Sequence, residues 1–158
     1  MRTFLRIGTY CLAMTLMWAT VARADDLWNG TWVLDPAACT YKPGKVRKSD
    51  TRVYTVTGDK IHLSGDVEFA DGKKIHVEFD AAYDGKDYQV KGNPKVQTIA
   101  IERIDEYRSK ATTKRNGKIT AVGNRVISKD GDTMTVSSSG TDEDGVQYND
   151  VLVFHRSK

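Results

Sequence analysis

Hydrophobic and polar residues alternate with a period of two along most of the chain from Asp50 onward. Such alternation is typical of β-strands that bury one face and expose the other. The alternating runs are separated by dipeptides that favour tight turns: Gly58-Asp59, Asp71-Gly72, Asp84-Gly85, Asn116-Gly117, Asp130-Gly131 and Asp144-Gly145, with weaker breaks at Asn93-Pro94 and Asp105-Glu106. The pattern predicts ten strands, at about 31–34, 51–57, 60–69, 74–83, 87–91, 97–104, 107–114, 118–128, 133–141 and 147–156.

The connections between these strands decide the fold class. Ten antiparallel strands without an amphipathic helix can form either a closed barrel or a sandwich. A Greek-key sandwich needs long crossovers, and only the 35–50 connection is long. We therefore predict an all-β fold, a single up-and-down antiparallel β-barrel of about 8–10 strands. Within the long connection, Asp35-Pro36 predicts a short helical turn that Pro43-Gly44 ends, and 45–49 is interpreted as irregular.

The faces of the predicted strands indicate how three hairpins pair, because a slip of one residue moves every apolar side chain to the wrong side. Around Asp71-Gly72 an odd-length loop pairs Phe69 with Ile75 and Val67 with Val77. Around Asp130-Gly131 a two-residue turn pairs Ile127 with Met134 and Arg125 with Val136. Around Asn116-Gly117 an odd-length loop sets Thr113 opposite Ile119 and Tyr107 opposite Arg125.

The inward face predicted from this register is uneven. Large apolar residues come from the early strands: Leu63, Val67, Phe69, Ile75, Val77 and Phe79. Small residues come from the later strands: Ser109, Ala111, Ala121, Gly123, Ser138 and Gly140. Small side chains on one wall opposite bulky ones on the other would leave a lumen of ligand size, or they would accommodate strand curvature in a packed core. The sequence leaves both interpretations open.

Residues 1–24 have the pattern of a secretory signal peptide. Arg2 and Arg6 precede an apolar run, and Ala22-Arg23-Ala24 has the small-x-small form of a cleavage site. The alternative, an uncleaved membrane anchor, needs about 20 apolar residues, and the run from 7 to 21 is shorter. We predict cleavage before Asp25, a β-barrel domain over 25–158, no stable membrane span after cleavage, and a periplasmic or secreted protein.

Removal of this leader changes the charge and the cysteine content. The whole chain has 24 basic and 21 acidic residues, but three of the basic residues lie in the leader. The predicted mature chain is therefore neutral, and its charge gives no reason to expect nucleic acid as a partner. Cys11 also lies in the leader, so Cys39 remains without an internal disulfide partner. We interpret Cys39 as a half-buried spare thiol.

The first predicted strand, Asn29-Gly30-Thr31-Trp32-Val33-Leu34, resembles the Gly-x-Trp opening strand of the lipocalins and their calycin relatives. In that family the tryptophan plugs the closed end of the barrel, and a basic residue of the last strand packs over its ring. The resemblance implies these roles for Trp32 and Arg156. It also implies a long first connection over the open mouth, with no room here for the two helices of the fatty-acid-binding proteins.

Three polar residues fall in phase with the inward side chains: Arg103, Tyr107 and Arg125. Two guanidinium groups and a phenol on one inner wall can bind a carboxylate through charge-assisted hydrogen bonds, and lipid-binding barrels have a similar inward Arg–Tyr arrangement. We predict that this cluster, with Phe69, Phe79 and Val136 as apolar lining, binds a small hydrophobic or amphipathic anion such as a fatty acid. In the alternative, Arg103 turns to solvent and Arg125 pairs with Glu102 or Asp105.

The histidines do not predict a metal site. His62 and His76 lie in the outward phase and too far apart to share an ion. His155 has a further interpretation, because the nitrobindins, a family of small bacterial barrels that the chain resembles in its strand count, bind haem through a histidine near the end of the chain. The alternative is a surface histidine, and we predict no cofactor.

Two further features complete the functional interpretation. The basic residues Lys42, Lys45, Arg47, Lys48 and Arg52 form either a solvated loop, which we favour, or a surface that steers anionic ligands or touches a membrane. No nucleophile elbow, paired-histidine motif or phosphate-binding glycine loop is present, so we expect no enzyme activity. The predicted function is an exported binding protein; the alternatives are an envelope or protein-interaction module with a filled core, or a haem barrel. The oligomeric state is left open.

Overall fold

The computed structural model describes residues 26–142 and 145–158, which form eleven strands and one short 3-10 helix. The predicted signal peptide, and Cys11 within it, lie outside the described residues. The strands are β1 Gly30–Leu34, β2 Thr40–Lys42, β3 Arg47–Thr57, β4 Lys60–Phe69, β5 Lys74–Ala82, β6 Tyr88–Lys91, β7 Thr98–Arg103, β8 Arg108–Arg115, β9 Lys118–Ile127, β10 Thr133–Thr141 and β11 Gln147–Arg156. Within the described residues, no helix is both long and apolar enough to cross a membrane.

The strands form a closed antiparallel up-and-down barrel, as predicted. From β3 to β11 each strand pairs with the next one along the chain, and β1 closes the ring by pairing with β3 on one edge and β11 on the other. The short β2 pairs farther along the same edge of β11, with Tyr41 opposite Asp150. β1 and β2 therefore act as one interrupted wall strand of a ten-stranded barrel.

The interruption between β1 and β2 is the helical turn that the sequence predicts at Asp35-Pro36, although it ends at Ala38 and not at Pro43-Gly44, because β2 begins at Thr40. The carboxylate of Asp35 accepts hydrogen bonds from the backbone N–H groups of Ala37 at 3.0 Å and Ala38 at 3.4 Å, and Pro36 occupies the first helical position. The 45–49 segment, in contrast, is not irregular as predicted, because β3 already begins at Arg47. Its inward positions carry charged side chains, which hydrophobic alternation does not reveal.

Among the hairpins, the pairing predicted around Asp130-Gly131 is confirmed, since Ile127 pairs with Met134 and Arg125 with Val136. The connection is longer than the predicted two-residue turn, because it closes through hydrogen bonds from Ser128 N to Thr133 O and from Gly131 N to Ser128 O, both at 2.9 Å. Around Asp71-Gly72 the predicted faces are correct, but the register differs by two residues. Val67 pairs with Ile75, because the connection closes through a hydrogen bond from Phe69 N to Lys73 O at 2.9 Å.

The prediction around Asn116-Gly117 is wrong, and this error affects the predicted site. The hairpin has a two-residue turn, with φ of 50° at Asn116 and 73° at Gly117. A register shift between Thr113 and Lys114 then changes the pairing along the rest of the two strands. As a result Ser109, and not Tyr107, lies opposite Arg125.

The closed end of the barrel has the tryptophan plug that the lipocalin resemblance implies. Trp32 is fully buried, and the guanidinium of Arg156 lies 4.3 Å from the centre of its ring. Arg156 also donates to the carbonyl oxygens of Leu27 at 2.6 Å, Gly131 at 2.8 Å, and Asn29. Trp28 is a second fully buried tryptophan, and its backbone carbonyl accepts a hydrogen bond from Trp32 Nε1 at 3.2 Å. These contacts close the base and leave the opposite end open.

Candidate ligand-binding lumen

A cavity of about 1070 Å³ occupies the barrel interior above this plug. It reaches the hairpins and loops at the end of the barrel opposite Trp32, including those around Pro43, Asn93 and Asn116. Pockets that bind small molecules commonly measure about 300–1,000 Å³. Four of the six small residues of the later strands, Ala111, Ala121, Gly123 and Ser138, therefore line an open lumen, whereas Ser109 and Gly140 do not line it.

One wall of the lumen, formed by β4 and β5, is apolar. The side chains that it turns inward are those the sequence predicts: Leu63, Val67, Phe69, Ile75, Val77 and Phe79. Gly65 is the remaining lining residue of these two strands, and a methyl group there would come within 3.2 Å of the Thr51 carbonyl oxygen. A ligand against this wall meets hydrocarbon alone.

β3 contributes a buried ionic triad to the lumen. The carboxylate of Asp50 is fully buried and pairs with Arg52 at 2.9 Å and with Arg47. Burial by itself raises the pKa of Asp50, but the guanidinium groups of Arg52 and Arg47 outweigh it and hold the pKa below its usual range. Arg52 also stacks 4.3 Å from the centre of the Phe154 ring. The predicted solvated basic loop is thus wrong for Arg47 and Arg52, which line the lumen.

At the inner end of the lumen lies the buried guanidinium of Arg125. Only 7% of the residue is exposed, and its Nη1 has no hydrogen-bond partner among the described residues. The hydroxyl groups of Tyr54 and Ser109 are likewise buried without a hydrogen-bond partner. Tyr54 lines the cavity 6.0 Å from Arg125, measured from the guanidinium carbon to the ring centre, and Ser109 is the strand partner of Arg125. Buried donors without partners are rare in proteins, so Arg125 and Tyr54, which both line the cavity, mark a place for a ligand or for water.

Further polar residues line the lumen on β11 near the mouth. Asp150 lies against Gly44, where a methyl group would come within 2.0 Å of its Oδ1. Burial raises the pKa of the Asp150 carboxyl, opposed by the backbone N–H of Lys42 and the charge of Arg47. Tyr148 lines the same part of the cavity, and burial raises the pKa of its phenol.

The predicted cluster of Arg103, Tyr107 and Arg125 does not form. Arg103 lies at the closed end, where it pairs with Asp26 at 2.7 Å and stacks 4.2 Å from the centre of the Tyr83 ring. Tyr107 precedes β8, and the negative charge of the adjacent Glu106 raises the pKa of its phenol. Neither Arg103 nor Tyr107 lines the cavity, whereas Arg125 does, together with the predicted Phe69, Phe79 and Val136.

The remaining candidates lie away from the lumen. His155 is on the outer surface, with its Nε2 3.4 Å from an oxygen of Asp35, so it cannot ligate a haem held inside the barrel. Cys39 is half-buried, as predicted, and its thiol donates to the carbonyl oxygen of Asp35 at 3.1 Å.

Among the residues that the structure describes, metal-ligating groups come together in one place on the outer surface. His62, Glu78 and Asp80 each place one potential ligand atom within 4.8 Å of the others. His62 Nδ1 and Asp80 Oδ1 are 2.8 Å apart, and both side chains reach solvent. His76 is not part of this group, because it pairs with Asp66. Exposed acidic groups are often found together without an ion.

Two features that decide which polar residues line the lumen are not predicted from the sequence. Asp50, Arg52 and Tyr54 alternate along β3 in the inward phase, a signal that is visible in the sequence but is obscured because two of the three residues are charged. The partner of Arg103, Asp26, lies 77 residues away, and no local signal indicates that contact.

No known family model matches the chain, and no curated protein matches it. Among solved structures, it is similar to a redesigned β-barrel, mFAP1, bound to DFHBI, with 16% identity over 82% of this chain and 95% of that one, at a TM-score of 0.42. It is also similar to the siderocalin Ex-FABP, described as having dual ligand specificities, with 12% identity over 83% of this chain and 74% of that one, at a TM-score of 0.37. The fold assignment rests on the strand pairings.

Proposed function

We propose that this protein binds a small amphipathic anion, of which a fatty acid is the simplest example, inside the barrel. The observation that carries the proposal is the guanidinium of Arg125, buried at the inner end of an open cavity with an unpartnered Nη1. A buried cation is stable only when another group compensates its charge, and a carboxylate on the ligand would do so. The apolar wall of β4 and β5 then supplies the hydrophobic contact.

The size of the lumen supports binding over the alternative of an interaction module with a filled core. That alternative requires a lumen too small for a ligand, and the cavity measures about 1070 Å³. Haem binding lacks support, because the histidine that would ligate the iron, His155, lies on the outer surface. We further propose that the protein acts by binding alone, without catalysis.

Displacement of a fluorescent fatty-acid probe tests this function. We expect the wild-type protein to bind the probe and release it to unlabelled dodecanoate. Arg125→Met keeps most of the side-chain volume but removes the charge, so we expect its affinity to fall at least tenfold, as for loss of a charge-assisted hydrogen bond. Arg108→Met is the matched control, because Arg108 is an exposed residue on the neighbouring strand and pairs with Asp105. Absence of probe uptake by folded wild-type protein would contradict the proposal.

We also propose that residues 1–24 are removed on export and that the barrel acts in the periplasm or outside the cell. The charged start, the apolar run and the small-x-small site support this. N-terminal sequencing of the protein recovered from its native host should begin at Asp25. Recovery of the intact leader on the cytoplasmic protein would contradict export.

A further inference from the structure

The two walls of the lumen differ in polarity along most of its depth. Every cavity-lining residue of β4 and β5 is apolar or glycine. In the ring of ten strands, β9 and β10 lie five positions from β4 and β5, so they face them across the barrel. This opposite side, continued by β11, carries Arg125, Ser138, Tyr148 and Asp150 among apolar or small residues such as Ala121, Gly123 and Val136. An apolar wall therefore faces one of mixed polarity, which we call the polar wall.

The polar wall offers hydrogen-bonding groups at several depths. Arg125 lies at the inner end, Ser138 follows on β10, and Tyr148 and Asp150 lie toward the mouth on β11. Beyond β11 the next strands of the ring are β1 and then β3. The ionic triad of Asp50 lies on β3, so it extends the polar wall to that strand. These groups do not converge on one point, as they would around the head of a ligand with a purely apolar tail.

An acyl chain matches only half of this surface. Its tail has no hydrogen-bond donor or acceptor. Where the tail lies against the polar wall, it displaces water from charged and hydroxyl groups and does not replace the lost hydrogen bonds. A rigid ring skeleton with polar substituents on one face satisfies both walls at once. It also loses less conformational freedom on binding than a flexible chain.

We infer, building on the proposed function, that the ligand is a rigid multi-ring anion with one polar and one apolar face. Its apolar face packs on β4 and β5, its hydroxyl or similar groups meet Ser138, Tyr148 and Asp150, and its negative end points toward Arg125. A cavity of about 1070 Å³ has room for such a skeleton.

Three carboxylate probes test the shape of the ligand at constant charge. Each is used below the concentration at which it forms micelles. Cholate is a ring carboxylate with three hydroxyl groups on one face, lithocholate is the same skeleton with a single hydroxyl group, and dodecanoate is a chain carboxylate. By calorimetry, we expect cholate to bind about tenfold more tightly than dodecanoate, and lithocholate to fall between them, since each added buried hydrogen bond contributes a few-fold to tenfold.

Variants of the two walls provide the matched comparison. Tyr148→Phe and Ser138→Ala remove one hydroxyl group each from the polar wall, and we expect each to weaken cholate about three- to tenfold while dodecanoate changes less than twofold. Val77→Thr places a hydroxyl on the apolar wall at nearly constant volume, and we expect it to weaken both probes. Circular dichroism and the thermal midpoint show that each variant is folded.

The outcomes distinguish this inference from the function on which it rests. If dodecanoate binds as tightly as cholate, or if cholate and lithocholate bind equally, the two-faced ligand is wrong and the binding function stands. If none of the three anions binds to the folded wild-type protein, the proposed function itself is wrong. Tighter cholate binding that Tyr148→Phe and Ser138→Ala leave unchanged would place cholate outside the polar wall and overturn the inference.

Discussion

At the scale of single residues, the arginines of this barrel have three different roles that follow from their surroundings. Arg156 satisfies backbone carbonyl groups and covers an indole at the closed end. Arg52 neutralises a buried carboxylate. Arg125 is buried with an unpartnered nitrogen and lines the cavity, and we propose that a ligand supplies the missing interaction. The residue type alone does not separate these roles, because the same guanidinium serves each of them.

Arg156 provides a stability prediction at this scale. Arg156→Met keeps contact with the Trp32 ring but leaves the carbonyl oxygens of Leu27, Asn29 and Gly131 without this donor. We expect a loss of about 2–4 kcal/mol in the free energy of unfolding, measured by urea denaturation. Arg156→Lys should recover part of the loss, since it restores the charge but not the planar set of donors. A change below about 0.5 kcal/mol, the size typical of surface substitutions, would show that the cap does not stabilise the base.

At the scale of elements, the β8–β9 hairpin has the largest effect on the site. Its turn and its register shift together decide that Ser109 lies opposite Arg125 and that Tyr107 lies outside the strand. The alternation of the two strands predicts which side chains share a face. It does not predict an irregularity of one residue, because the extra residue lies within a strand and has no separate sequence signal.

The turn of this hairpin can be tested by Gly117→Ala. Gly117 has a φ of 73° and no atom within 4 Å of an added Cβ, so only the backbone conformation opposes the substitution. We expect a loss of about 1–2 kcal/mol, measured by chemical denaturation. Gly123→Ala on the same hairpin is the control: its added Cβ makes an ordinary contact, 3.6 Å from Ser138 Cβ, and no left-handed backbone is involved. Equal effects of the two substitutions would contradict the assigned turn.

At the scale of the whole molecule, the stability of the barrel should depend on pH through the buried triad. The pKa of Asp50 is lower in the folded chain than its ordinary value, so this carboxylate contributes stability above a pH of about 4 and loses that contribution as the pH falls through the folded pKa. We expect the free energy of unfolding to decrease steadily below pH 4, measured by urea denaturation at several pH values.

Asp50→Asn separates this contribution from those of other acidic residues. It leaves the guanidinium groups of Arg47 and Arg52 without their counter-charge, which should cost about 3 kcal/mol at neutral pH. The variant should also lose less stability on acidification than the wild type, because one linked proton is absent. Parallel pH profiles of the two proteins would assign the acid sensitivity to other carboxyl groups.

The sequence by itself determined the fold class, ten of the strands, the capped turn at Asp35 and the pairing around Asp130-Gly131. It also determined which residues form the apolar wall, because alternation and turn chemistry are local properties that every tertiary arrangement of these strands must respect. The resemblance to the lipocalins added the prediction that Trp32 and Arg156 form the plug.

Only the tertiary structure decided which polar groups meet in the lumen. Arg103 pairs with Asp26 at the closed end. The register shift between β8 and β9 places Tyr107 away from Arg125. The inward face of β3 places Asp50 and Arg52 in the lumen. Each of these outcomes depends on strand register or on residues far apart in the chain. The position of a charged side chain depends on the group that compensates its charge, and only the closed barrel shows which group that is.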